Sequence, residues 1–148
     1  MVDAVDPAAR ARGQEPAVAT SASEAVTQGI RISVESRYAP EYSQPQRNQW
    51  FFLYTIQIAN EGEEEVQLLS RHWIIRDATG KIEEVRGPGV VGETPVLGPG
   101  ESFEYTSGCP LQTPFGSMEG TYQMVTARGE RFDARIARFA LREPGAIH

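Results

Sequence analysis

The chain has 148 residues, of which 40% are hydrophobic and 23% charged, and this is enough apolar sequence for one globular domain with its own core. Its formal net charge of −6 argues against a general affinity for nucleic acid or anionic membranes, because both require a basic surface. Cys109 is the single cysteine, so an intramolecular disulfide and a cysteine-rich zinc site are excluded, and a reducing cytoplasm is the expected compartment.

The two ends of the chain differ in composition from the segment between them. Residues 1–23 are rich in Ala, Pro, Gly, Ser and Thr, and they lack the basic region and apolar run of a secretory signal. We therefore predict a disordered N-terminal tail over 1–23, one domain over 24–142 and a flexible C-terminus over 143–148. No segment approaches the ~18 apolar residues that a membrane-spanning helix requires, so no membrane association is expected.

The first half of the domain alternates between apolar and polar residues, which is typical of half-buried strands. Residues 30–35 form one such run, and residues 50–58 form a longer one whose even-numbered side chains are all apolar or aromatic. Residues 66–77 form a further extended run, either two strands or one bent strand. Asp77–Gly80 is a short hairpin turn into 81–86, with Gly80 where positive φ is needed.

The second half continues this pattern with one irregularity in the last strand. Gly98–Gly100 fits a type II turn, with Pro at the second position and Gly at the third. The apolar residues of the last strand change parity between Ile136 and Phe139, and a bulge or bend near Ala137 would bring both sets to one side. Tyr122, at the start of a late strand, fits a tyrosine corner. Short strands with regularly spaced turns predict an all-β antiparallel sandwich.

Residues 87–92, which we call the glycine loop, have the spacing G-x-G-x-x-G that lets a backbone approach a pyrophosphate in dinucleotide-binding proteins. There the glycines follow a strand and open a helix, whereas no helical pattern follows this segment. One interpretation is an anion site in which backbone N–H groups hold phosphate and Arg86 adds a charge-assisted bond. Its candidate nucleotide-binding residues are Arg86, Gly87, Gly89 and Gly92. The other is a connection between sheets that needs glycines for its backbone shape.

Four other groups of residues each have a functional and a structural interpretation. The acidic loop at Glu61 and 63–65 is either a weak Mg²⁺ site or a solvated turn. His72 is either a base or metal ligand, or a structural side chain, since no nucleophile motif accompanies it. Cys109 is either a reactive thiol or a small buried residue. A partner-binding patch or a solvated face is formed by Arg128, Arg131, Arg135 and Arg138.

Two blocks of the sequence indicate a particular protein family, which the composition alone does not. The first comprises residues 87–97 and 100–111, the second comprises residues 116–124, and Asn60–Gly62 and Arg71–Trp73 accompany them. With these motifs, residues 34–141 closely resemble the bacterial ApaG family. The resemblance implies a fibronectin type III-like β-sandwich, which agrees with the immunoglobulin-like strand pattern.

The same resemblance carries implications for function. Related domains occur in eukaryotic F-box proteins and in a polymerase-delta-interacting protein, which implies a protein-interaction module. The family is associated genetically with cobalt resistance and magnesium efflux, and its gene often neighbours a diadenosine tetraphosphate hydrolase. The resemblance supplies no catalytic residue, and it carries over Gly87, Gly89 and Gly92 only as candidate anion-binding positions.

Three functional hypotheses follow from the residues and the resemblance together. The first is a non-enzymatic binding module, without catalytic residues, metal ligands or cofactor, that acts through an unidentified protein partner. The second is a nucleotide or pyrophosphate binder, or a weak phosphohydrolase, at the glycine loop. The third is direct binding of Mg²⁺ or Co²⁺, for which His72 and Cys109 are the internal nitrogen and sulfur candidates. We favour the first, and edge strands leave a homodimer open.

Overall fold

The computed structural model of the protein describes residues 20–145, which form two antiparallel β-sheets packed face to face. The strands are β1 Thr20–Thr27, β2 Ile30–Tyr38, β3 Trp50–Asn60, β4 Val66–Asp77, β5 Ile82–Pro88, β6 Val96–Leu97, β7 Ser102–Leu111, β8 Phe115–Thr126 and β9 Arg131–Arg142. The first sheet has the order β1-β2-β3-β7, and the second has the order β5-β4-β8-β9 with β6 beside β4. The predicted all-β antiparallel sandwich is confirmed.

Short connections complete the described part of the chain. Two 3₁₀ turns, Pro40–Tyr42 and Pro45–Arg47, link β2 to β3. Within residues 20–145, no helix has the length and apolar character needed to cross a lipid bilayer. The predicted type II turn at 98–101 is present, since Glu101 N donates to Gly98 O at 3.0 Å and Gly100 has φ +84°. Gly80 has φ +88°, as expected for its hairpin turn.

The N-terminal strand corrects the predicted start of the domain. Residues 20–23, which were assigned to the tail, form the first half of β1 and pair with residues 34–37 of β2. The sequence of β1 is mostly small and polar, so its alternation carries little hydrophobic signal. At the other end, Glu143 N donates to Pro114 O at 2.9 Å, so this residue is held against the domain. The disorder predicted for residues 1–19 and 146–148 lies outside the described residues.

The core lies between the sheets and consists of the inward-facing alternate residues of both. Trp73 of β4 is fully buried at its centre, with ring centroids 5.5 Å from Tyr54, 6.4 Å from Tyr122 and 6.0 Å from Phe139. These largely edge-to-face contacts each add about 0.5–1.5 kcal/mol beyond the apolar area they bury. Fully buried aliphatic and Met side chains from both sheets surround them, among them Ile32, Ile56, Leu68, Met118 and Ile136.

The parity change in the last strand is accommodated by the bulge predicted near Ala137. The register between β8 and β9 shifts by one residue between the Gly120–Ile136 pair and the Met118–Phe139 pair. Because β9 has one extra residue there, Ile136 and Phe139 both point into the core despite their opposite parity. A second register shift, at Leu68–Ser70, shows that residues 66–77 form one irregular strand.

The two long sides of the sandwich are built differently. On the side that we call the closed side, hydroxyl groups of β1 and β2 bond to the backbone of β9. Ser23 Oγ donates to Ala137 O at 2.7 Å, and Ser36 Oγ donates to Ala140 O at 2.7 Å. On the opposite side, the open side, β5 and β7 each end their sheet, with no further strand beyond them in residues 20–145. Their outer edges therefore present backbone donors and acceptors to solvent.

Candidate functional site

The glycine loop closes in a tight two-residue turn and does not start a helix. Val90 N donates to Glu93 O at 2.8 Å, and Glu93 N donates to Val90 O at 2.9 Å. Val91 and Gly92 therefore occupy the two central positions, with φ of +43° and +80°, as in a type I′ hairpin turn. Among residues 20–145, the N–H groups of Val91 and Gly92 have no hydrogen-bond partner, whereas those of Val90 and Glu93 are used within the turn.

Gly89 is required by a close backbone contact inside this loop. A Cβ on Gly89 would lie 2.3 Å from Glu93 O, and its φ is +58°. Real Cβ atoms do not approach an oxygen so closely, so only glycine fits without movement of the turn. The N–H of Gly89 donates to Leu69 O at 2.8 Å and is thus engaged in the fold. Backbone shape, the second of the two interpretations above, explains this glycine.

Gly87 makes room for the side chain of Arg71, a residue outside the candidate set of the glycine loop. A Cβ on Gly87 would lie 3.0 Å from both terminal nitrogens of Arg71. Arg71 Nη1 donates to Pro88 O at 2.8 Å and to Gly89 O at 2.9 Å, so the guanidinium holds the loop by its carbonyls. Arg71 shares the inward parity of Trp73 in β4. An arginine at an inward position is the sequence signal that could have revealed this contact, because a cation that is partly removed from water needs polar partners.

Arg86 lies on the outer face of the second sheet, beside His72. The two residues are register partners in β5 and β4. The Arg86 side chain is 71% exposed, and its Nη2 lies 3.7 Å from Glu84 Oε1, the same oxygen that is 2.8 Å from His72 Nε2. A shallow depression of about 580 Å³ at this point is lined by Arg86, His72, Thr121, Gln123 and Asp133, among others. The candidate anion-binding residues are thus divided between this face and the turn.

Two of the four carboxylates of the acidic loop form ion pairs with arginines. Glu61 Oε2 accepts a hydrogen bond from Arg31 Nε at 2.8 Å, and this bond lowers the pKa of the Glu61 carboxyl. Glu64 Oε2 accepts a hydrogen bond from Arg128 Nε at 2.5 Å. Within residues 20–145, no group of three or more His, Cys, Asp or Glu side chains is arranged to hold a metal ion.

His72 and Cys109 do not form a common site. The side chain of His72 faces outward from β4, whereas Cys109 of β7 is buried in the core at 1% exposure. Burial raises the pKa of the Cys109 thiol to about 12, so it stays protonated at neutral pH. Cys109 therefore behaves as the small buried residue that was one of its two interpretations.

A buried tyrosine pair links the two sheets. The hydroxyl groups of Tyr105 and Tyr122 are hydrogen-bonded to each other across the core. Burial raises the pKa of both side chains, so both remain neutral. The hydroxyl of Tyr122 therefore bonds to a side chain of the opposite sheet, which corrects the prediction of a tyrosine corner. Local sequence offers no signal for this pair, because the two residues come from strands of different sheets.

A groove of about 1150 Å³ lies on the open side, between the ends of the two sheets. Its walls come from β3, β4, β5, β7 and the two 3₁₀ turns, and its larger apolar side chains are Tyr42, Trp50, Phe51, Ile75, Ile82 and Leu111. Tyr42 and Ile82 are 51% and 54% exposed. The Phe51 ring lies against Gly108, where a Cβ would be 2.3 Å from its Cζ atom. Its centroid is 5.6 Å from that of Tyr42, in an edge-on contact. The sequence offers no local signal for this groove, because separate segments of the chain form it.

Comparisons with known proteins define the class of this sandwich. The family model described as the ApaG domain matches residues 40–126. Protein ApaG of Methylobacterium sp. (strain 4-46) is 58% identical over 120 residues, which cover 81% of this chain and 92% of the relative. Protein ApaG of Rhodospirillum centenum is 56% identical over 119 residues, which cover 80% and 92%.

A solved structure agrees with these matches. The crystal structure of the ApaA protein from Bordetella pertussis has a TM-score of 0.77 and 51% identity, and the match covers 79% of this chain and 95% of that chain. The protein described here belongs to the ApaG family.

Proposed function

We propose that this protein is a non-catalytic interaction module that binds an extended segment of a partner protein in the groove of the open side. The observation that carries the proposal is the meeting of two unpaired strand edges, β5 and β7, at a groove with exposed apolar side chains. An extended peptide can add to a free strand edge, where backbone hydrogen bonds give affinity and neighbouring pockets select side chains.

The aromatic side chains of the groove supply the selective part of this surface. Tyr42 and Phe51 form an edge-on pair, and Trp50 lies beside them with its Nε1 3.3 Å from Glu143 Oε1. Tyrosine and tryptophan commonly carry most of the binding energy in protein interfaces, because they bury a large rigid area. Covering Tyr42 and Ile82 with a partner would remove from water the largest exposed apolar groups of this side.

The proposal assigns the partner to divalent-cation homeostasis. The genetic association of the ApaG family with cobalt resistance and magnesium efflux supports this assignment. The protein acts on these ions through the partner, and it needs no enzymatic activity or cofactor of its own. A second copy of the chain, pairing by its own open edge, is the alternative occupant of the groove.

The test compares three forms of the full chain in affinity capture followed by quantitative mass spectrometry. Ile82→Lys places a charge on the free edge and blocks strand addition, and Tyr42→Ser removes an aromatic anchor. Val26→Lys is the matched control, since Val26 is a 50% exposed residue of β1 on the closed side. We expect one set of proteins to be captured by the wild type and Val26→Lys but lost from both groove variants.

Cobalt sensitivity of a deletion strain that expresses each form provides the functional readout. The proposal predicts that Val26→Lys restores resistance and that Ile82→Lys does not. Equal capture and equal resistance for all forms would contradict it. Sedimentation of the wild type as a dimer that Ile82→Lys dissociates would instead identify a second copy as the occupant.

Binding of a nucleotide or pyrophosphate is a second candidate with a smaller site. The free N–H groups of Val91 and Gly92 and the exposed Arg86 favour it. An amide-resolved NMR titration with diadenosine tetraphosphate, with and without Mg²⁺, tests it directly. Saturable shifts confined to residues 86–93 support the candidate, and unchanged resonances there remove it.

A further inference from the structure

The outer face of the second sheet carries an excess of positive charge in an acidic protein. We call this surface the basic face, and it consists of the side chains of β5, β4, β8 and β9 that alternate with the core residues. Among residues 20–145, six arginines lie on it and only three acidic residues, Glu84, Glu119 and Asp133. These residues give the face a formal charge of +3, in a chain whose net charge is −6. The six cations are Arg76, Arg86, Arg131, Arg135, Arg138 and Arg142.

Much of this positive charge is not neutralised within the protein. Arg76 and Arg138 share the carboxylate of Glu119, at 3.5 and 2.5 Å. Arg86 has only a distant contact of 3.7 Å with Glu84, which also bonds to His72. Within residues 20–145, no ion pair is formed by Arg131, Arg135 or Arg142. Exposed guanidinium groups in this state are available to anions from outside the molecule.

The centre of the basic face is a row across all four strands, formed by Arg86, His72, Thr121 and Arg135. Adjacent strands are about 4.8 Å apart, so the Cα atoms of Arg86 and Arg135 are separated by roughly 14 Å. In an extended peptide, side chains four residues apart are separated by roughly 13 Å and point the same way. Two carboxylates at this spacing match the two arginines at the ends of the row. The shallow depression beside the row is lined by Arg86, His72 and Thr121, and also by Asp133.

We propose that the basic face docks an acidic, extended segment of a partner protein, with carboxylates paired to Arg86 and Arg135. Carboxylates accept two parallel hydrogen bonds from a guanidinium, which gives such pairs a defined geometry. The basic face and the groove meet at Ile82, the register partner of Arg76, but the row from Arg86 to Arg135 shares no residue with the groove. The inference therefore goes beyond the proposed function. The net charge of −6 on the whole chain opposes a long polyanion that extends past the face, whereas a short segment can stay within it.

The test measures the binding of a fluorescein-labelled poly-glutamate peptide to the full chain by fluorescence anisotropy. Arg135→Glu is expected to weaken binding on the order of tenfold, because it replaces an attraction by a repulsion. Arg128→Glu is the matched control, since it changes the charge equally at a 74% exposed residue outside the face. It is expected to change the affinity less than about twofold. Both residues are exposed, and urea unfolding confirms that both variants fold.

Three further results decide the proposal. Retention of peptide binding by Tyr42→Ser supports a surface separate from the groove, whereas its loss would show that the peptide binds in the groove and would overturn the inference. Equal weakening of peptide binding by Arg135→Glu and Arg128→Glu would show that binding depends only on net charge, and this result would also overturn the proposal. Tighter binding of duplex DNA or of phosphatidylglycerol vesicles than of the peptide would contradict the assignment to an acidic protein segment.

Discussion

Replacing Gly89 by alanine tests whether the glycine loop is built for backbone shape. The added Cβ would lie 2.3 Å from Glu93 O, at a residue with φ +58°. Gly92 provides the matched control within the same loop. It also has positive φ, +80°, but a Cβ there would meet nothing within 4 Å. The two variants therefore share the backbone cost and differ in the contact with Glu93.

The magnitudes follow from these two geometries. Placing an alanine at positive φ costs about 1 kcal/mol, which is the whole effect expected for Gly92→Ala. At Gly89 the Glu93 carbonyl must also move by about 0.7 Å to reach even a tight contact of 3.0 Å. That movement strains the two hydrogen bonds between Val90 and Glu93, each contributing about 0.5–1.5 kcal/mol. Gly89→Ala is therefore expected to lower the free energy of unfolding by about 3 kcal/mol.

Urea unfolding at equilibrium measures both values, with the fluorescence of the two tryptophans as the signal, of which Trp73 is fully buried. A loss of this size leaves a protein of ordinary stability folded, since such proteins unfold at a cost of about 5–15 kcal/mol. Unchanged m-values would show that the same surface is exposed on unfolding. Equal losses for Gly89→Ala and Gly92→Ala, or a larger loss for Gly92→Ala, would refute the reasoning from the Glu93 contact.

Three further outcomes are expected. Ser23→Ala should lower the free energy of unfolding by about 1 kcal/mol, because it removes the hydrogen bond to the bulge of β9. Ser33→Ala is the control, since it alters only an exposed contact, and it should lower this free energy by less than about 0.5 kcal/mol in the same urea assay. Tyr122→Phe leaves the buried hydroxyl of Tyr105 without its partner and should cost about 1–3 kcal/mol in thermal or urea unfolding, so a neutral result would contradict the role of this pair. The free energy of unfolding should fall as pH rises above about 9. The reason is that the unfolded chain releases the thiol proton of Cys109 there, while the folded protein, with a Cys109 pKa of about 12, retains it. Cys109→Ala should therefore reduce the slope of unfolding free energy against pH, measured from pH 8 to 11, by up to about 1.4 kcal/mol per pH unit.

Features that depend on local patterning were predictable from the sequence. The parity change between Ile136 and Phe139 located the bulge of β9, because a strand can bury both residues only by inserting one more. The type II turn at Gly98–Gly100 was predictable because its third position needs a positive φ, which the glycine at position 100 adopts readily. The first strand was missed over residues 20–23, since an edge strand of small polar residues shows no hydrophobic alternation.

Features that depend on contacts between distant strands were not predictable in the same way. The spacing of the glycines is visible in the sequence, but the contacts that require them are not. Gly87 is required by the side chain of Arg71 in the neighbouring strand, and Gly89 is required by the Glu93 carbonyl. The basic face was visible only in part, as the arginine cluster of the last hairpin. Arg86 and Arg76 lie on the same face as that cluster because β5 and β4 belong to the same sheet as β9. The alternation of apolar and polar residues along each strand does not specify this strand order.

The hydroxyl groups that bind β9 on the closed side also limit how many other protein molecules can pair with the strand edges of the domain. A free strand edge is a template for unlimited growth when a molecule has one on each side, because every added copy presents a new edge. Here Ser23 and Ser36 engage carbonyls of β9, so strand pairing is confined to the opposite side. Association through that side ends once a partner covers the neighbouring edges of β5 and β7. The domain is thereby protected against fibre formation while it keeps the two edges of its open side for recognition.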